Sequence, residues 1–244
     1  VRWSVEISEE RGVRYLHFGS DYIQGAMRIA RPYALELEYT RDLMFPLLLR
    51  DPRTILQVGL GAASITRFLH RHRPEAKLAV VEIAPEVVSA ARQFFKLPEE
   101  DARLRIEIAE GHEYLMSRKR PFDLIVVDGF DDRGRAGPLD TLPFYLNCRA
   151  HLSRNGLLAT NLLTRRKGAA PSVQRMLEAF EGRVLVIPPS EAGNTVAIAA
   201  VGARIAENVR DLRLAAAELK DETGLDLNGA VARLALAYGG TIEL

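Results

Sequence analysis

A chain of 244 residues holds one α/β domain with modest additions, or two small domains at most. Hydrophobic residues make up 48% and charged residues 27%, a globular balance that excludes wholesale disorder. With 33 basic and 32 acidic residues the formal charge is +1, which argues against a dedicated nucleic-acid binder. No apolar run reaches the roughly 18 residues of a membrane span and no secretory signal opens the sequence, so no membrane partner is expected. The single cysteine, Cys148, cannot pair internally; it fits a reducing compartment, and the expected location is cytoplasmic.

Residues 1–50 open with short alternating runs, Trp3–Ile7 and Val13–Phe18, around a Glu10-Arg11-Gly12 turn, with Ile23–Arg28 as a further strand. This predicts a small N-terminal domain of β-hairpins. Tyr39, Leu43 and Leu47 then return at helical spacing, predicting a linking helix that runs to Leu49 before Asp51-Pro52 stops it. Across 51–202, strands are predicted at Thr54–Val58, Lys77–Val81, Leu104–Ile108, Leu124–Val127 and Leu157–Thr160. Helices are predicted between and after them at Ser64–Arg71, Pro85–Phe95, His112–Arg118, Phe144–Leu152 and Pro171–Phe180. Such alternation builds right-handed βαβ units and a parallel sheet. Arg183–Ile187 and Thr195–Val201 are separated by too few residues for a crossover helix, so they form an antiparallel hairpin at the sheet edge. The expected fold is therefore α/β, a methyltransferase-type, Rossmann-like doubly wound sheet closed by a C-terminal antiparallel hairpin. Residues 203–244 read as a helical extension broken near Gly224 and Asn228-Gly229.

Ligands of open α/β sheets bind outside the carboxyl ends of the strands. Gly59-Leu60-Gly61-Ala62-Ala63-Ser64 follows the first of these strands and opens a helix, a place for close backbone approach to a ligand. Taken alone it is a weak signal, since Ser64 replaces the third glycine. Glu82 ends the second strand, twenty-three residues after Gly59, where an acid accepts both ribose hydroxyls of a nucleoside. Glu110-Gly111 ends the third strand, with room for a flat base beside the glycine. The fourth ends in Asp128-Gly129-Phe130-Asp131-Asp132. Acids this close repel one another unless solvated or paired with a cation, and an amine is a natural partner.

Four stretches, Val58–Ala63, Val80–Val87, Asp123–Asp131 and Leu139–Tyr145, resemble the spermidine synthases, or polyamine aminopropyltransferases. The resemblance extends over about residues 1–201. It implies transfer of an aminopropyl group from decarboxylated S-adenosylmethionine to an amine or polyamine, in a homodimer. It implies a donor site of Gly59, Gly61, Glu82, Ile83, Glu110 and Gly111, with Glu82 on the ribose and Glu110 near the adenine. Asp128 is then the base that deprotonates the attacking amine, Asp131 and Tyr39 position the acceptor, and Gln24 and Tyr39 match gate residues.

Three departures accompany the resemblance. Ala62 stands where the family carries an aspartate that faces the aminopropyl amine, weakening discrimination against the carboxylate of intact S-adenosylmethionine. Thr40-Arg41 replaces a His-Glu pair, so an acceptor-binding acid has become a cation. Gly129-Phe130 replaces a small polar pair. These keep open an S-adenosylmethionine-dependent methyltransferase or a transferase with another acceptor, and a catalytically silent nucleotide-binding module; an NAD-dependent oxidoreductase fits the closing hairpin and strand-four acids least. The basic run Arg67, His70, Arg71, His72 and Arg73 is expected on a solvated helix face, Arg165-Arg166-Lys167 in a surface loop, and Cys148 in the core. His17, His112 and His151 lack metal-ligand spacing, and no metal is expected.

Overall fold

A computed structural model describes residues 3–19, 23–131, 133–163, 168–189 and 193–244, with the Leu163 side chain left aside. Asp132 and Arg165-Arg166-Lys167 lie outside the described residues. Three strands, β1 (Glu6–Glu10), β2 (Val13–His17) and β3 (Ile23–Arg28), form an antiparallel N-terminal sheet in the order β1-β2-β3. Arg11 and Gly12 both take positive φ, 50° and 76°, the two-residue geometry whose twist matches the flanking strands.

The linking helix is shorter than its periodicity predicts. Helix α1 spans only Glu38–Asp42, and a 3-10 turn, Phe45–Leu48, follows it. Pro46 is the reason: its ring removes a backbone donor and clashes with the carbonyl four residues earlier, that of Asp42.

The central sheet contains β4 (Thr54–Val58), β5 (Lys77–Glu82), β6 (Leu104–Ile108), β7 (Phe122–Val127), β8 (Leu152–Leu163), β9 (Val184–Ile187) and β10 (Asn194–Ala200). Their order is β6-β5-β4-β7-β8-β10-β9. The first five pair in parallel, whereas β10 inserts antiparallel between β8 and β9. Helices α2 (Ser64–His72), α3 (Pro85–Phe94), α4 (Gly111–Met116), α5 (Leu142–Ala150) and α6 (Ala170–Ala179) connect the strands. Because successive strand residues face opposite sides, Ile55 packs with Phe68 and Phe95 on one face, and Leu56 with Phe144, Tyr145 and Phe180 on the other. Cys148 is fully buried in the second group.

Order reverses between β4 and β7, since the chain winds outward from β4 to β6 before returning on the other side. Ligand crevices of doubly wound sheets open at such a point. The C-terminal zone is not wholly helical. Helices α7 (Val209–Thr223) and α8 (Asn228–Tyr238) are flanked by β11 (Ala206–Asn208) and β12 (Thr241–Glu243), which pair antiparallel. Three-residue strands are too short to show a period, which is why this pairing escapes the sequence pattern.

Candidate active site

Gly59, Glu82, Glu110 and Asp128 stand at the carboxyl ends of four adjacent strands, β4, β5, β6 and β7. Gly59 has a φ of 91°, and a Cβ built on it would lie 2.1 Å from the Asp128 carbonyl oxygen. Only glycine permits this approach of the two strand ends. The Gln57 side chain, buried in β4, steadies the turn: its amide donates to the Gly59 carbonyl at 2.7 Å and accepts from the Thr66 hydroxyl at 2.8 Å.

Glu82 is 8% exposed and its two carboxylate oxygens are separately engaged. Oε2 accepts from the Leu60 N–H and Oε1 from the Ala84 N–H, both at 2.9 Å. Burial pushes this carboxyl above its ordinary value, opposed by backbone N–H groups of Leu60, Ala84, Ile83 and Gly61. The acid thus ties the glycine loop to the end of β5. Ile83, the next residue, is 53% exposed, an apolar surface beside that acid. Glu110 caps α4, accepting from the Glu113 N–H at 2.9 Å, and Gly111 packs directly on Val58.

Asp128 faces a narrow crevice bordered by Gln24, Tyr39, Thr40, Gln57, Gly61 and Ala62, with about 10 Å³ of free space, roughly that of one water. Its Oδ1 accepts from Asn161 Nδ2 at 2.9 Å, and the Tyr39 hydroxyl borders the same crevice, near enough to act on the carboxylate. Burial pushes the carboxyl from 3.8 to about 6, against the pull of those two donors and with a small push from the Glu82 charge. Burial also raises the Tyr39 phenol well above its usual value, followed by the charge of Asp128 and the hydrogen bond to it, so Tyr39 remains a donor. Asn161 in turn accepts from Asn194 Nδ2 at 3.0 Å. The pair Asn194 and Asn161 behind Asp128 is legible in sequence only as amides at the ends of apolar strands.

Asp131 is placed differently. Its Oδ1 accepts from the N–H groups of Arg133 and Arg135, and its Oδ2 from Arg135 Nε at 2.7 Å. Burial is the largest single influence on this carboxyl and raises it, but the Arg135 side chain and the backbone donors outweigh it and hold the group below its ordinary value. It therefore organises its own loop rather than bordering the Asp128 crevice.

The departures resolve locally. Ala62 is 2% exposed and pressed against β3, where a Cβ on Gly25 would come within 2.6 Å of its own. Thr40 turns its hydroxyl onto the Leu37 carbonyl. Arg41 points away from Asp128: its Nη1 donates to the carbonyls of Leu35 and Glu36, both at 3.0 Å, beside a separate cavity of about 420 Å³ under the α7–α8 turn. That larger cavity contains none of the strand-end acids.

Arg67 corrects the expectation of a solvated face. It is fully buried, and it donates to the carbonyls of Pro32 at 2.7 Å, Phe95 at 2.6 Å and Ala62, with the Ser64 hydroxyl at 3.4 Å. Burial lowers it from 12.5 to about 10. The guanidinium has room for three carbonyls because the linker, the glycine loop and the end of α3 converge on α2. Among its neighbours on α2, Arg71 is exposed and lies over the Tyr33 ring. Among the described residues no group of three or more His, Cys, Asp or Glu is placed to hold a metal ion, and no helix is long and apolar enough to cross a membrane.

Residues 36–165 match the family model of the spermine/spermidine synthase domain. A polyamine aminopropyltransferase of Chromobacterium violaceum is 38% identical over 231 residues, 94% of this chain and 88% of that protein. The chain belongs to the spermine/spermidine synthase family. Its fold is also that of a spermidine synthase crystallised with the transition-state analogue AdoDATO, at a TM-score of 0.69 and 22% identity over 95% of this chain and 85% of that one. Human methyltransferase-like protein 13, crystallised with SAH, has the same fold at a TM-score of 0.68 and 25% identity, over 77% of this chain and 93% of that one.

Proposed function

We propose that this protein is a polyamine aminopropyltransferase that uses decarboxylated S-adenosylmethionine as donor and an amine as acceptor. The observation that carries the reading is Asp128 at the carboxyl end of β7, bonded by Asn161 and bordered by Tyr39, across the glycine turn from Glu82, with burial pushing its carboxyl up to about 6. Family membership and the name of the Chromobacterium relative support it. Glu82 suits a ribose because it is a buried acceptor fixed at the loop, and Gly59, Gly61, Ile83, Glu110 and Gly111 complete the donor face.

The acceptor nitrogen attacks the carbon bonded to the sulfonium. A C–N bond forms as the C–S bond breaks, and its electron pair leaves on sulfur as a neutral thioether, which needs no acid. The amine's proton passes to Asp128, ionised at neutral pH. Tyr39 and Gln24 orient the acceptor, and alignment of nitrogen, carbon and sulfur supplies much of the rate. A distal ammonium on the acceptor competes with Arg135 for Asp131. The same proposal takes residues 1–50, 51–202 and 203–244 as hairpin, catalytic and helical units of a cytoplasmic homodimer, with edge strand β1 as a pairing surface.

A second reading rests on Ala62: with no acid at this position, the loop does not repel the carboxylate of intact S-adenosylmethionine, which makes a methyl donor compatible. Thermal shift with each donor at matched concentration decides between them. A ligand at about 100 times its Kd adds roughly 2.7 kcal/mol. Preference for the decarboxylated donor supports aminopropyl transfer, preference for the intact donor moves the reading to methyl transfer, and no shift with either defeats both.

A further inference from the structure

The Tyr39 side chain, which shares the crevice with Asp128, is presented by an element that cannot hold itself. Helix α1 is a single turn of five residues, and its N-cap is Leu37, whose apolar side chain offers no acceptor. So short a helix does not recover its nucleation cost, and its geometry must be imposed by tertiary contacts. A charged contact reaches it from the far end of the chain. Arg233, in the middle of α8, donates through Nη1 to Glu38 Oε1 at 2.8 Å and through Nη2 to Asp42 Oδ2. Glu38 and Asp42 are four residues apart and share one face of the turn, so a fork that grips both fixes its rotation. Tyr39 follows Glu38 by one residue, about 100° further round the axis. The pair is sheltered: the side chains of Arg233 and Asp42 are 18% and 8% exposed, where screening is weak.

Helix α8 is itself fastened along β9. Arg233 Nε donates to the Pro188 carbonyl at 2.9 Å, and the Tyr238 hydroxyl both accepts from the Val186 N–H at 3.2 Å and donates to the Val186 carbonyl at 3.1 Å. Thus α8 is tied to the edge of the sheet, and Arg233 links that anchorage to α1.

We propose that Arg233 is a positioning residue: by gripping Glu38 and Asp42 it holds the Tyr39 hydroxyl beside Asp128, in the crevice the two share, and so tunes that carboxylate. Its effect on turnover rests on the aminopropyl-transfer reading, whereas its effect on Asp128 does not. The groups that face Asp128 are Tyr39 from α1, Asn161 from β8 and Glu82 from β5. Arg233 contacts none of them directly, and of the three only Tyr39 belongs to the element it grips.

The test is a carbon-13 NMR titration of the Asp128 carboxyl, assigned with Asp128→Asn, in the wild type, Arg233→Gln, Arg233→Lys, Tyr39→Phe and the Arg233→Gln/Tyr39→Phe double variant. A hydrogen bond to the charged form lowers a carboxyl pKa, so Tyr39→Phe and Arg233→Gln should each raise the midpoint, by about half a pH unit or more. The double variant should titrate like Tyr39→Phe alone. With donor and amine, Arg233→Gln should lower kcat about tenfold and leave the donor KM within about twofold. A wild-type midpoint in Arg233→Gln overturns the proposal, as does additivity in the double variant. If Arg233→Gln does not fold, Arg233→Lys, which keeps the charge and loses the fork, takes its place: a raised midpoint supports the proposal and a wild-type midpoint overturns it. A wild type that transfers no aminopropyl group while these midpoints move as expected defeats the functional reading and supports the positioning role.

Discussion

Replacing Asp128 by asparagine should cost activity and increase stability, with a pH signature that few other substitutions share. The folded protein holds this carboxyl at about 6 against an ordinary 3.8. Each pH unit of difference is worth about 1.36 kcal/mol, so ionising Asp128 in the folded state costs about 3 kcal/mol, and its partial access to solvent brings the expected effect to about 1–3 kcal/mol. The sign follows from the raised value: the wild type is unpenalised below pH 4, loses stability as pH rises from about 4 to 6, and carries the full penalty above 7. Asparagine is neutral throughout. Its amide oxygen keeps the bond from Asn161, and its NH2 donates to Tyr39, whose hydroxyl turns to accept. Urea denaturation of both proteins at pH 4.5 and pH 8 should therefore show Asp128→Asn gaining about 1–3 kcal/mol on the wild type at the higher pH relative to the lower. Turnover at pH 8 should fall about 10²-fold or more, with donor Kd little changed. A stability difference that is independent of pH would refute the burial argument, and unchanged turnover would refute the base assignment.

Wild-type kcat/KM should fall about tenfold between pH 7 and pH 5, because a base with a pKa near 6 is about nine-tenths ionised at the first and one-tenth at the second; a flat profile would exclude Asp128 as the titrating base. Glu82→Gln cannot accept from both the Leu60 and Ala84 N–H groups through carboxylate oxygens, so donor affinity measured calorimetrically should weaken at least about tenfold, with a melting-point loss equivalent to about 1–3 kcal/mol. Arg67→Met strands the carbonyls of Pro32, Ala62 and Phe95 and should cost about 3 kcal/mol or more by denaturant titration; a loss below about 0.5 kcal/mol would return Arg67 to the surface. Gly59→Ala drives a Cβ into the Asp128 carbonyl at a positive φ, so soluble yield and donor binding should fall together.

The central sheet was legible because it is written in local periodicity. All seven predicted strands form, as do the five connecting helices, with the largest departure at β8, which spans Leu152–Leu163 where Leu157–Thr160 was expected and takes Leu152 from the end of the expected helix. The glycine loop and the acids at Glu82, Glu110 and Asp128 were legible because the carboxyl-end rule for open sheets turns a one-dimensional order into a shared face. Where a single residue overrode the pattern, as Pro46 did in the linking helix, the reason was in the sequence but outweighed there by the run of leucines.

Partner choice was not legible. Arg41 was expected as a cation at the acceptor site and Arg67 on a solvated face, yet one turns to the Leu35 and Glu36 carbonyls and the other is fully buried among three carbonyls. Asp131 spends its carboxylate on Arg135, whereas Asp128 stands three positions earlier under Tyr39 and Asn161. Arg233 reaches Asp42 across 191 residues of chain. Order, periodicity and the chemistry at strand ends belong to the sequence by itself, since they depend on neighbours a few residues apart. Which charge is buried, which acid borders the crevice and which is tied into its own loop depend on elements that meet only when the chain has packed, and those the tertiary structure decided.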